Sequence, residues 1–343
     1  MEKIVNKSLT SKQRVLSALF GGHVDKIPVT SIGACGGTVT VEMQKAIGIH
    51  WPEAHKDPVK MAKLAIAACN LGGIENVRVP FDFVVEAEAL GCEIKWLDKP
   101  DAVPSVSKNP FKSPEELKKP EKLLEAGRIP VVLKSIKLTR EEVGDFLPIS
   151  SLAVGPLSLA GELVGITNLL MWLIRKPDYV KKIVDFTTEI IIEYSKAQYR
   201  AGSDIVQVAE PTASLSMISP PMFKEFAQPA LIKIANSLGG LRVLHICGKT
   251  LNIVPDLAKL GFDGLSLEED IAQVKRLVGD VKVLGNVSSS KTLVFGSPDD
   301  VKAEVRKALE AGVDLLEPNC GISPITPLKN IKAMVEARNE FCT

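Results

Sequence analysis

Two soft metal ligands end an apolar run in 243-VLHICGKT-250, where His245 and Cys247 lie two residues apart just before a glycine. Residues two apart on a strand point to one face, so both side chains look the same way. A second apolar run breaks at Pro318 in 315-LLEPNCGISP-324 and puts Cys320 just before another glycine. An imidazole and two thiols suit zinc better than a hard cation. Three protein ligands leave a fourth position for substrate or water, which is the pattern of catalytic zinc. The competing reading is a buried histidine with structural cysteines. That reading suits Cys69 and Cys92, which sit in plain apolar runs. It suits His245, Cys247 and Cys320 less well, because all three close strand-like runs.

Several polar residues end neighbouring runs. Glu210 in QVAEP and Glu268 in LSLEED flank the His245 run and are each open to three roles: ligand, partner of His245, or solvated rim carboxylate. Asp82 in VPFDF is a candidate acid, base or orienting group, or else a helix cap. Asn286 and Ser288 in 286-NVSSS-290 could receive an anionic part of a substrate or cofactor on backbone N–H donors, or form an ordinary polar turn. In 33-GACGG-37 the glycines allow a ligand close to the backbone, and Cys35 reads as an exposed thiol or a small turn residue. His50 and His55 are expected on a surface loop, and His23 in a turn; none of the three is expected to ligate.

The elements that must position these groups repeat regularly. Eight apolar runs, near Ile27, Val77, Leu152, Ile205, Val243, Leu265, Val283 and Leu315, are each followed by a turn and a helical pattern. Several are continuous rather than alternating, as in strands buried on both faces. Eight βα units predict an α/β chain folded as a single (β/α)8 TIM barrel over residues 1–343, with function at the carboxyl ends of the strands. A doubly wound sheet is the alternative, and no GxGxxG supports it. Thr10 and Gln13 make a capping-box pattern for an N-terminal helix over 10–22. Residues 95–148, rich in proline and charge, are too long for one crossover and predict an inserted rim segment.

Composition removes other classes. A formal net charge of +1 gives no broad basic face for nucleic acid or acidic lipid. Six scattered cysteines do not form a disulfide framework and suit a reducing, cytoplasmic setting. The opening segment lacks a signal-peptide pattern. Residues 151–174 approach the length of a membrane span, but Pro156, Glu162 and Asn168 interrupt them, and two elements split at Gly155-Pro156 are expected.

The stretches LTSKQRVLSALFGGHVDKIPV, VRVPFDF, HICGKT, LGNVS and EPNCGISP together resemble the uroporphyrinogen decarboxylase superfamily along nearly the whole chain. Within it, the His-x-Cys…Cys set is similar to that of the zinc-dependent corrinoid methyltransferases of methanogenic archaea. The resemblance implies one Zn2+ at His245, Cys247 and Cys320. It also implies transfer of a methyl group from methylcobalamin, carried on a partner corrinoid protein, to the thiol of coenzyme M. The decarboxylase branch would carry arginines soon after the first strand to hold porphyrinogen carboxylates. This chain has GACGGTVTVEMQ there, and only the aspartate position, Asp82, survives. A decarboxylase, or a methyltransferase with another acceptor, is the alternative.

Overall fold

Seven of the eight apolar runs form strands of one parallel sheet. In chain order the strands are β1 (Val77–Val79), the pair β2 (Glu93–Lys95) and β3 (Ser105–Lys108), then β4 (Ile149–Val154) and β5 (Ile205–Ala209). β6 (Leu241–Ile246), β7 (Gly264–Leu267), β8 (Lys282–Val287) and β9 (Leu315–Pro318) follow. The sheet runs β1-β4-β5-β6-β7-β8-β9, every pair parallel, and curls into a half-barrel. The computed structural model describes residues 8–35 and 37–342. Gly36 of the glycine-rich turn and the first seven residues of the opening segment lie outside them.

The expected first strand near Ile27 is reduced to a single bridge, Val29 with Leu316. Pro28 has no N–H to donate, so pairing there is limited to its carbonyl, which accepts from Leu316 N at 2.9 Å. On the other side Glu75 N donates to the Val29 carbonyl at 2.8 Å. The chain at Val29 thus lies between β9 and the residues just before β1.

Thr10 and Gln13 form the capping box, and the first helix, Ser11–Phe20, ends at Gly21 in the left-handed region. Its Val15 and Leu19 pack with Ile205, Leu241, Val243, Leu284 and Leu315, so the helix plugs the amino-terminal end of the sheet. The larger core lies between the outer face of the sheet and the crossover helices. With one end plugged, the carboxyl ends of the strands form the accessible end.

The apolar 151–174 stretch divides as expected: β4 ends, and the helices Pro156–Val164 and Ile166–Arg175 follow at 109° to each other. Among the described residues no single helix is long and apolar enough to cross a membrane. In the region expected to be inserted, β2 and β3 pair antiparallel and short 3-10 turns follow. The helix Ile129–Val143 is an ordinary crossover rather than part of a rim element, packing beside Pro58–Gly72 before the chain enters β4.

Candidate metal centre

His245 lies on β6, Cys247 just beyond its carboxyl end, and Cys320 just beyond β9. The structure brings them together and adds Cys35. One ligand atom from each of the four lies within 4.8 Å of the other three. His245 is fully buried and the three cysteines are half-buried. The ring nitrogen His245 Nε2 is buried without a hydrogen-bond partner, with the thiols of Cys247 and Cys320 against it. A polar atom left this way in a buried ring is rare unless a ligand completes it. Around a tetrahedral zinc with bonds of about 2.3 Å, sulfurs stand about 3.8 Å apart, so small side-chain adjustments would close the set. The donor set and the orphaned nitrogen therefore fit zinc.

The opposite face of the ring is held. Sheet register pairs His245 with Ser266 on β7, and Nδ1 meets Ser266 Oγ at 3.1 Å. Ser266 in turn hydrogen-bonds Glu317 on β9. Glu317 is fully buried and also accepts from Gly33 N at 2.9 Å and Thr30 Oγ1 at 3.0 Å. A histidine whose far nitrogen is tied to a hydroxyl and a carboxylate is fixed in ring angle and tautomer, with Nε2 left to ligate. Gly33 is required by space here: a Cβ on it would lie 2.1 Å from Ser266 Oγ and 2.2 Å from Glu317 Oε1.

Buried polar groups inside the sheet also place Cys35. Arg78 donates to the carbonyls of Ser31 and Ile32 and to Gln207 Oε1, while Gln207 Nε2 donates to the Gly33 carbonyl at 2.7 Å. The turn carrying Cys35 is therefore tied to β1, β5 and β9. Among the protein's own groups, burial pulls His245 down, but Cys247 and Cys320 outweigh it and raise it to about 9. Cys320, hydrogen-bonded by Cys247 and Cys35, is held well below the usual thiol range. Cys35 is pushed well above it, first by burial and then by its sulfur neighbours.

The cluster faces a cavity of about 820 Å³ lined by Cys35, Cys247 and Cys320 together with Phe83, Glu162 and Ile166 among others. Val106 and Asn109, on and just after β3, contribute to its wall. Its lining includes no lysine or arginine among the described residues. Glu162 Oε2 has no hydrogen-bond partner, and burial, then Glu86, Asp82 and Glu210, push its carboxyl well above the usual range. Burial and its acidic neighbours thus favour the protonated form of Glu162, which the sequence marked only as a break in an apolar stretch.

The remaining candidates go elsewhere. Asp82 is fully buried, pairs with Arg128 at 2.9 Å and meets His55 Nδ1 at 2.8 Å, away from the cavity lining. Burial opposes its ionisation, yet Arg128 and His55 win and hold it well below the usual carboxylate range. The expected surface position of His55 is thereby corrected: the ring is fully buried among Trp51, Phe81 and Trp96. Glu210 turns to the amino end of the Pro156–Val164 helix, accepting from Leu157 N at 2.7 Å, Ser158 N at 2.8 Å and the Ser158 hydroxyl. A carboxylate there satisfies free N–H groups at the helix start.

Glu268 is exposed beside the cluster and accepts from Gly248 N; burial first, then Cys320, raises its carboxyl. The anion seat expected at Asn286 and Ser288 is filled from within: Ser288 N donates to Glu304 Oε2 at 2.8 Å, and Asn286 donates to the Glu269 carbonyl. Asn286, Ser288 and Glu268 line a separate, smaller cavity.

The family model described as uroporphyrinogen decarboxylase (URO-D) matches residues 10–341, and the chain belongs to that family. Within it, the chain is 44% identical to the methylcobamide:CoM methyltransferase MtaA of Methanosarcina barkeri, over 97% of this chain and 98% of that protein. A solved structure described as a methyltransferase from Methanosarcina mazei superposes with a TM-score of 0.93 at 43% identity, covering 98% of this chain and 100% of that one. A uroporphyrinogen decarboxylase of Geotalea uraniireducens is 23% identical, over 94% of this chain and 97% of its own.

Proposed function

We propose that this chain is a zinc-dependent methyltransferase that moves a methyl group from a methylated corrinoid protein to the thiol of coenzyme M. The observation that carries the reading is the convergence of His245, Cys247 and Cys320, with an orphaned imidazole nitrogen, the two thiols lying on the wall of one large cavity and the buried imidazole behind them. The 44% identity to a methylcobamide:CoM methyltransferase supplies the donor and acceptor. A porphyrinogen with several carboxylates calls for cations that this cavity lining lacks.

We read the fold as one (β/α)8 barrel over the whole chain, the Val29 segment taking the eighth position and β2–β3 forming a rim insertion. His245, Cys247 and Cys320 would hold the metal. Bound there, zinc supplies the Lewis acidity that keeps a coordinated thiol in its thiolate form at neutral pH. Ser266 and Glu317 aim the imidazole. Phe83, Val106 and Ile166 give the cavity apolar walls that limit water around the reacting sulfur. A space of about 820 Å³ exceeds what a small thiol fills, leaving room for the face of the methyl donor. Glu268 stands where it can take a proton beside the cluster. Asp82 and Glu210 hold structure instead, and Asn286 and Ser288 support the turn after β8.

The test pairs metal analysis with methylcobalamin demethylation across several thiols. One zinc per chain and transfer to coenzyme M are expected, and Cys320→Ala should lose both while keeping its circular dichroism. Unchanged zinc content in that variant would refute the assignment.

A further inference from the structure

The helix Ile166–Arg175 has two apolar faces, and the fold covers one of them. Leu169 and Leu173 are buried, and the helix packs beside Pro156–Val164 and Pro177–Ala201. On the other side Ile166, Leu170 and Ile174 repeat every four residues with Met171 beside them, so a second apolar stripe runs the length of the helix. Ile166 and Met171 are exposed, and Ile174 keeps 72% of its surface in solvent. A helix apolar on all sides is normally buried, and a contiguous exposed apolar stripe marks a contact site.

The stripe begins at the large cavity. Gly165, Ile166, Thr167 and Asn168 line that cavity, and Ile166 also shares a second one with Cys247 and the exposed Met217. The stripe thus runs from the wall beside the cluster's thiols at Ile166 to solvent at Ile174. A space of about 820 Å³ takes the reacting face of a corrin ring but not the protein that carries it. The carrier must therefore rest on the residues around the mouth. The helix contains no carboxylate, and Arg175 and Lys176, both exposed, close it. A partner face that is apolar at its centre and acidic at its edge fits this surface.

We propose that the outer face of the helix Ile166–Arg175, carrying Leu170, Met171 and Ile174, is the docking surface for the protein that brings the methylated corrinoid. The inference rests on the methyl-transfer reading above and adds to it the place where the donor sits. Met171 and Ile174 are the apolar anchors, and Arg175 and Lys176 meet carboxylates at the partner's edge. A carrier seated there holds its corrinoid against the cavity that Ile166 borders. Methylcobalamin free in solution enters the same cavity without touching the outer half of the helix.

Two methyl donors separate docking from chemistry: free methylcobalamin, and a corrinoid protein from Methanosarcina barkeri, the source of the 44% identical relative, loaded with methylcobalamin. Ile174→Asp should lower kcat/KM for the loaded protein about tenfold or more, with kcat/KM for free methylcobalamin and zinc content at the wild-type level. Met171→Glu, at a second position outside the cavity wall, should do the same and serves if Ile174→Asp does not fold. Equal losses on both donors, no loss on either, or wild-type protein that takes no methyl group from the loaded carrier overturns the docking surface while leaving the methyl-transfer reading intact. Sedimentation that shows a wild-type dimer split by Ile174→Asp assigns the stripe to a second copy of the chain and also overturns it. Zinc-loaded wild-type protein that demethylates neither donor overturns both.

Discussion

The carbonyl oxygen of Cys35 lies 1.6 Å from the point where a Cβ on Gly321 would stand. Two turns far apart in sequence are thus interlocked backbone against backbone, and each carries a cysteine of the cluster. No flexible side chain can give way there, so Gly321→Ala must push the Cys35 turn aside. Isothermal titration should show zinc affinity lower by about tenfold or more, and thermal unfolding should report a loss of about 1–3 kcal/mol.

The Ser266 hydroxyl links His245 to Glu317. Ser266→Ala removes that link without touching a ligand, and zinc affinity should fall about 10- to 100-fold as the ring loses its fixed orientation. Competition with a chromophoric chelator measures this. Affinity equal to wild type would show that packing alone orients the ring.

Asp82 sits between Arg128 and His55 with no exposure to the cavity. Asp82→Asn leaves the Arg128 charge short of its buried partner and should cost about 3–5 kcal/mol in denaturant unfolding. Metal content, measured on the folded fraction, should stay at the wild-type level. A stable Asp82→Asn protein that has lost only turnover would return this residue to the chemistry.

Glu86 is buried and accepts from Val154 N at 2.8 Å, and burial raises its carboxyl from 4.5 to about 7. The folded state therefore holds this proton more tightly than the unfolded chain does. The associated stability is full below the unfolded value and is lost as pH rises through the folded one. Glu86→Gln has no proton to lose. Compared by urea unfolding at about pH 5 and about pH 8, the gap between variant and wild type should shift toward the variant by on the order of 2–3 kcal/mol. A constant gap would show that Glu86 ionises normally in the fold.

Much of this was legible in the sequence, for physical reasons. Strands buried on both faces write themselves as unbroken apolar runs, and seven of the eight runs became strands. The eighth was shortened by Pro28, whose missing donor no hydrophobic pattern reports. His245, Cys247 and Cys320 could be grouped because each closes a run on the same side of the sheet. Cys35 could not, because its turn is placed by Arg78, Gln207 and Glu317, 43 to 282 residues further along the chain. Glu317 was hidden in the same way: a glutamate in a strand looks like an edge residue until its partners Gly33, Thr30 and Ser266 are known. The turn after β8 does bind a carboxylate, but it is Glu304, supplied by the helix Pro298–Glu310.

The pairing of His245 with Ser266 is set by the ladder between β6 and β7. A slip of β6 by one residue would turn its side chains to the opposite face while Ser266 stayed in place, and the imidazole would then point among the outer helices. β2 and β3 pair only with each other and lie outside that ladder, so a change of length there leaves its register untouched, whereas a single insertion within β6 or β7 would part His245 from Ser266 even in a chain that still folded.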